Sequence, residues 1–154
     1  IEDGKPSLSL LSLRRNNFGA TMIHKPINNA FYEIGYDLTV NRMYLRIKGF
    51  WKNVADVPDY IQDIDAISSK LQQGYTLVTD LRQMKTPPLE INKVHQEAQI
   101  VANKNGLSHT AEILPEQDIV LAHVVNNIAS SSGMQKREFA TMRKAEEWLD
   151  SLSI

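Results

Sequence analysis

Asp80, Arg82, Lys85, Thr86 and His95 are the residues of this chain whose types and spacing could do chemistry. Asp80 stands near the end of the apolar run Tyr75–Leu81 (YTLVTDL). In open α/β sheets ligands lie outside the carboxyl ends of strands, so a carboxylate there is placed to meet a ligand or a partner. The same carboxylate can instead brace the next loop by accepting its backbone N–H groups, and this second reading is preferred. Arg82, Lys85 and Thr86 follow in that loop, and a strand, a tight loop and a helix start would gather them beside Asp80. Such a cluster could hold an anion at the helix N-terminus; as ordinary loop chemistry it would be a solvated turn with a cap. His95 falls on the apolar stripe of the following helix, where a buried imidazole is expected more than one working with Asp80 in a hydrolytic site.

Other chemistries lack their residues. The seven glycines never form GxGxxG or GxxxxGK[ST], the backbone cradles for phosphates. There is no GxSxG nucleophile elbow. The histidines are His24, His95, His109 and His123, and none pairs at four-residue spacing as a helical metal site needs. With no cysteine, disulfides, thiol nucleophiles and thiolate metal sites are excluded, which suits a reducing cytoplasm. Lys plus Arg number 17 against 18 Asp plus Glu, a net charge of −1, which argues against bulk electrostatic binding to nucleic acid. No apolar run reaches the roughly 18 residues of a membrane span. No metal, cofactor, nucleic acid or membrane span is expected.

The elements that must position these residues are legible from Ala30 onward. With 154 residues, one domain is expected. Phe31–Leu38 reads as an aromatic-rich strand, Val40–Asn41–Arg42 as a turn, and Met43–Trp51 as a half-buried strand alternating Met43, Leu45, Ile47 with Tyr44, Arg46, Lys48. Asp56 and Pro58 open a helix with Val57, Tyr60, Ile61, Ile64, Ile67 and Leu71 on one face, ended by Gly74. Tyr75–Leu81 is a buried central strand. Thr86 and Pro87 fit an N-cap and first helical residue, and Ile91, Val94, His95, Ala98 and Val101 form the face of a helix closed by Gly106. Thr110–Leu114 is a short strand, and Gln117–Asp118 opens a third helix. Its inner face is Leu121, Val124, Val125 and Ile128, widened by Ile119, Val120 and Ala122 toward deeper burial. A last strand at Glu138–Phe139–Ala140 precedes a helix capped by Thr141, with Ala145, Trp148, Leu149 and Leu152 as its stripe. Phe50 and Trp51 either cover the hairpin end and the first helix, the preferred reading, or form an aromatic ledge.

The order β-β-α-β-α-β-α-β-α predicts an α/β fold: a mixed, mostly parallel sheet with right-handed crossovers and an antiparallel first hairpin. Residues 1–29 read as an N-terminal extension and 30–154 as a single α/β domain. Within the extension, Arg14–Gly19 reads as a loop, and Met22 is a candidate native start. The leucines of Leu8–Leu13 need a surface to cover; together with the aromatic hairpin and an edge strand they invite a homodimer.

The segments YLRIKGFW, GYTLVTDLRQM, NKNGLSHTAEIL and REFATMRKAEEWL, in this order, resemble the SpoIIAA-like (STAS-like) group of small proteins. That group is similar in fold to bacterial anti-sigma factor antagonists and more distantly to Sec14-type lipid-binding domains. The resemblance covers about Phe31 to Leu152 and rests chiefly on Gly49, Asp80–Leu81–Arg82 and Phe139, Ala145, Trp148, Leu149. Anti-sigma factor antagonists carry a regulatory serine at a helix N-terminus after a central strand. Here the matching loop, Arg82–Pro88, has no serine; Thr86 is its one hydroxyl, and Pro87 and Pro88 remove two N–H donors.

The expected function is a non-enzymatic regulatory or protein-interaction domain that binds an unidentified protein partner through this loop and the helix from Leu89 to Asn105. The alternative is a small-ligand or lipid carrier of Sec14-like type; an enzyme using Asp80 and His95 ranks third. Substituting Asp80 or Thr86 is expected to change partner binding and to leave the fold intact.

Overall fold

A computed structural model describes residues 27–116 and 118–152. The expectations for Leu8–Leu13, Arg14–Gly19 and Met22, and the share of Gln117 in opening the third helix, lie outside them.

The alternation Met43, Leu45, Ile47 against Tyr44, Arg46, Lys48 becomes strand β3 (Arg42–Gly49). It pairs antiparallel with β2 (Tyr32–Asp37), setting Ile34 opposite Leu45 and Tyr36 opposite Met43. Arg42 already belongs to β3, so the turn falls one residue earlier than predicted. It ends on Asn41 at φ 54°, a left-handed position that asparagine tolerates better than most residues. A two-residue strand β1 (Ile27–Asn28) adds to β2, so the sheet begins ahead of the domain start expected at residue 30.

The remaining strands are β4 (Thr76–Met84), β5 (His109–Ile113) and β6 (Lys136–Phe139), and the helices are α1 (Tyr60–Ser68), α2 (Leu89–Lys104), α3 (Ile119–Ser132) and α4 (Met142–Ser151). The strands lie in sequence order, with β3 to β6 parallel. Among the described residues the fold is α/β, with a mixed six-stranded sheet and four helices. Right-handed crossovers stepping always the same way across a sheet keep their helices on one face. There α1, α2 and α3 pack against Met43, Leu45, Ile47, Leu77 and Leu81 in the main core. Helix α4 follows the last strand and covers the opposite face, with Met142, Ala145 and Leu149 on Tyr44, Val78, Ala111 and Ile113. Among the described residues the strand order never reverses, so their sheet has no switch-point crevice of the kind that recruits ligands in doubly wound folds.

Several boundaries differ from the prediction for local reasons. The segment at Asp56 is a short 3-10 turn (Val54–Asp56), and α1 starts at Tyr60. Val57 precedes Pro58, whose ring disfavours helical geometry at the residue before it, and Val57 sits at φ −130°, ψ 56°. Helix α1 ends at Ser68, before Gly74; the Ser68 and Ser69 hydroxyls donate to carbonyls one turn back, which competes with helix continuation. The same proline rule moves α2. Pro87 precedes Pro88 and cannot open a helix, so Pro88 becomes the cap in extended geometry and Leu89 the first helical residue. The predicted Thr86 N-cap is therefore not formed. Helix α3 is capped as expected by Asp118, which accepts from Leu121 N–H at 2.9 Å, and ends on Gly133 at φ 75°. Thr141 caps α4 through Lys144 N–H. Trp148 is half-buried, packed at the margin of the second core against Phe139 and His109.

Candidate functional site

The five residues singled out by sequence do not form one site. Strand β4 runs on to Met84, so Asp80 lies in its middle and not near its end. Side chains alternate along a strand, and Asp80 shares a face with Val78, the face covered by α4. His95 lies on α2, on the other side of the sheet. The sheet itself thus keeps Asp80 and His95 apart, and no hydrolytic pair is assembled from them.

Asp80 is a brace. It is 1% exposed, and its two oxygens accept four hydrogen bonds from two arginines. Oδ1 accepts from Arg82 N–H at 3.1 Å and Arg82 Nε at 2.9 Å; Oδ2 accepts from Arg82 Nη2 at 2.9 Å and Arg46 Nε at 3.1 Å. Arg46 also faces Glu33 at 3.9 Å. Burial pushes the Asp80 carboxyl up, but the hydrogen bonds and charge of Arg82, with the charge of Arg46, outweigh it and hold the group below its usual value. Local backbone makes this fork reachable. Relative to β3, β4 carries an extra residue between Asp80 and Gln83, a bulge that turns Arg82 back toward Asp80. The sequence reading placed Arg46 on a wet face; it is buried, because its partners come from β2 and β4 across a register that sequence does not disclose.

Beyond Arg82 the chain leaves the sheet. Lys85 is exposed, Thr86 half-buried and Pro87 buried. Leu89, the first residue of α2, is 83% exposed. Strands β3, β4 and β5 are parallel neighbours about 4.8 Å apart, so their exits lie within about 10 Å along one edge. Phe50 leaves β3 there at 51% exposure. Ile119 and Val120, in the first turn of α3 after β5, are 84% and 63% exposed. The expectation that these two deepen the burial of α3 is overturned: at 100° per residue they fall off the Leu121, Val125, Ile128 stripe and face outward. Scattered exposed apolar residues are ordinary, but several gathered on one edge mark a contact surface. The candidate site is this edge, with Phe50, Leu89, Ile119 and Val120 as apolar contacts and Arg82, Lys85 and Thr86 as polar neighbours. Sequence reasoning found the loop and missed the flanking apolar residues, whose types alone read as core.

His95 belongs to an aromatic cluster on the other face. Trp51 is buried, donating its indole N–H to the carbonyls of Phe31 and Lys48, so the covering role holds for Trp51, while Phe50 is exposed and covers nothing of the kind. Tyr60 meets Trp51 edge-on at 4.9 Å. Burial pushes the His95 imidazole down to about 4, so it is neutral near pH 7.

Among the described residues no group of three His, Cys, Asp or Glu side chains is arranged to hold a metal ion, and no helix is long and apolar enough to cross a membrane. No protein-family model matches the chain, and neither does any curated protein or solved structure.

Proposed function

We propose that this chain is a non-enzymatic interaction domain of the SpoIIAA-like kind, which binds a protein partner through the edge where β3, β4 and β5 end. The observation that carries the reading is the exposure of Phe50, Leu89, Ile119 and Val120, each on a segment that follows β3, β4 or β5 at that edge. The polar neighbours support it. Arg82 is anchored to Asp80 by three hydrogen bonds and held ready at the surface, which lowers the entropy lost on docking. The element order also fits the resemblance seen in the sequence. Thr86 stands two residues ahead of the α2 cap, outside the first turn, so a phosphoryl group there gains little from the helix dipole. The partner contact is therefore read as one of shape and apolar area, without a phosphate switch.

The test is crosslinking and capture of the full chain in its own cells, comparing wild type, the pair Leu89→Asp with Ile119→Asp, and Leu38→Asp at the opposite edge. The expected result is a specific partner shared by wild type and the Leu38 variant and lost from the edge variant, all three folded by circular dichroism. Light scattering of the purified chain shows whether that partner is a second copy. A captured set that is unchanged in the edge variant overturns the proposal.

A further inference from the structure

We propose that the space between the sheet and helices α1, α2 and α3 is a binding site for a small, uncharged, mostly apolar molecule that carries one hydroxyl. This site is separate from the edge just described and does not depend on it. A cavity of about 50 Å3 lies there. A single water needs on the order of 10–15 Å3, so the space takes a molecule of a few heavy atoms and is far short of a two-chain lipid. Its walls are largely apolar, with Met43, Leu45, Leu77 and Val125 among them. A cavity walled this way favours an apolar occupant over a cluster of waters.

One polar group on the wall has nothing to bond. His95 lines the cavity, and its Nε2 is buried without a hydrogen-bond partner. Buried polar atoms in folded proteins are nearly always paired, and an orphan is destabilising until something reaches it. The second torsion of a histidine side chain is soft, so the ring can offer this nitrogen to an occupant without leaving its place on Trp51.

The chemistry of the occupant follows from the wall. In a neutral imidazole one nitrogen donates and the other accepts, and Nε2 can be either. A hydroxyl both donates and accepts, so it satisfies Nε2 in both tautomers; a methyl group of the same size satisfies neither. Charge is disfavoured. The buried carboxylate on the wall, Glu112, is already paired with Lys136 at 2.9 Å, and a neutral His95 offers no counter-ion to an acid.

2-Propanol and isobutane test this directly, being small enough for the space, nearly equal in shape and differing in the hydroxyl. Each is titrated into the full chain while the methyl resonances of Leu45, Leu77 and Val125 are followed by NMR. In wild type the lining methyls shift with both compounds, and 2-propanol binds about fivefold or more tighter than isobutane, the scale of one net hydrogen bond. His95→Phe keeps a ring against Trp51 and loses the preference for 2-propanol. His95→Gln, which restores a hydrogen-bonding group, keeps it and stands in should the phenylalanine variant fail to fold. Lining methyls that do not move with either compound overturn the site. A 2-propanol preference that survives in folded His95→Phe overturns the role of His95 and with it the proposal.

Discussion

Trp51 and His95 stack with their ring centroids 4.8 Å apart and their planes 26° from parallel. This contact ties the exit of β3 to the middle of α2, across 44 residues of sequence. Tyr60 closes the group from α1, edge-on to Trp51 at 4.9 Å and to His95 at 6.0 Å. Tyr32 joins from β2, 4.9 Å from Tyr60, with its hydroxyl donating to Asp63 at 2.7 Å. Four elements thus meet around one imidazole, and their rings exclude the water that would stabilise its charged form.

Stability should therefore rise with pH across the range where His95 differs between the folded and unfolded chain. Its folded value, about 4, lies below the unfolded value of 6.5. Between them the unfolded chain binds the extra proton. The contribution is complete above pH 6.5 and is lost as pH falls toward 4, amounting to about 3 kcal/mol. Urea unfolding measured from pH 4 to pH 7.5 should show this slope in wild type and a much flatter one in His95→Phe. Equal slopes would show that the imidazole is not the group responsible.

Asp80→Ala should destabilise the fold and not merely alter a surface, contrary to the expectation from sequence. The substitution strips a partner from Arg46, whose side chain is 5% exposed, and breaking a buried pair from one side costs about 3–5 kcal/mol. Glu33 remains near Arg46 and places the loss at the lower end. The folded carboxyl titrates below the ordinary 3.8, so its contribution is present above that pH and is lost as pH falls through the folded value. Urea midpoints at pH 7 check the first statement; Arg82→Ala should bring acid unfolding on at a higher pH than in wild type, and an unchanged acid transition would contradict the central role given to the Arg82 fork.

Gly106→Ala should lower the melting temperature more than Gly133→Ala. Both positions are left-handed, at φ 106° and 75°. At Gly106 an added Cβ would also lie 3.0 Å from the Gln73 Cα, where backbone must move; at Gly133 it meets open space. The expected losses are about 2–3 kcal/mol and about 1 kcal/mol. Equal melting temperatures in the two variants would remove the steric part of the argument.

How much of this was legible beforehand depends on the range of the interaction. The helix stripes Ile64, Ile67 and Ile91, Val94, Ala98 are buried as their spacing predicts, because a helix repeats every three to four residues. Asp118 and Thr141 cap as predicted, since capping is settled within three residues. The Pro58 and Pro87–Pro88 boundaries were misplaced for an equally local reason, the restriction that proline puts on the residue before it. The candidate site was read less well. The loop carrying Arg82, Lys85 and Thr86 was found and His95 was read as a buried imidazole, as it is, but Arg46 was assigned to solvent and Ile119 and Val120 to the core.

By itself the sequence determined the order of the strands from Tyr32 onward and of the four helices, the apolar stripes of α1 and α2, and the absence of cysteine and of phosphate-cradle motifs. Each of these follows from residues at most a few positions apart, or from composition alone. The tertiary structure decided that the strands lie in sequence order, and that order put α1, α2 and α3 on one face and α4 on the other. Asp80 and His95 were thereby placed on opposite sides of the sheet. Alternation along a strand separates its two faces but does not say which helix will cover either one. That choice rests on crossover handedness and on the pairing of strands far apart in sequence, which no local pattern encodes.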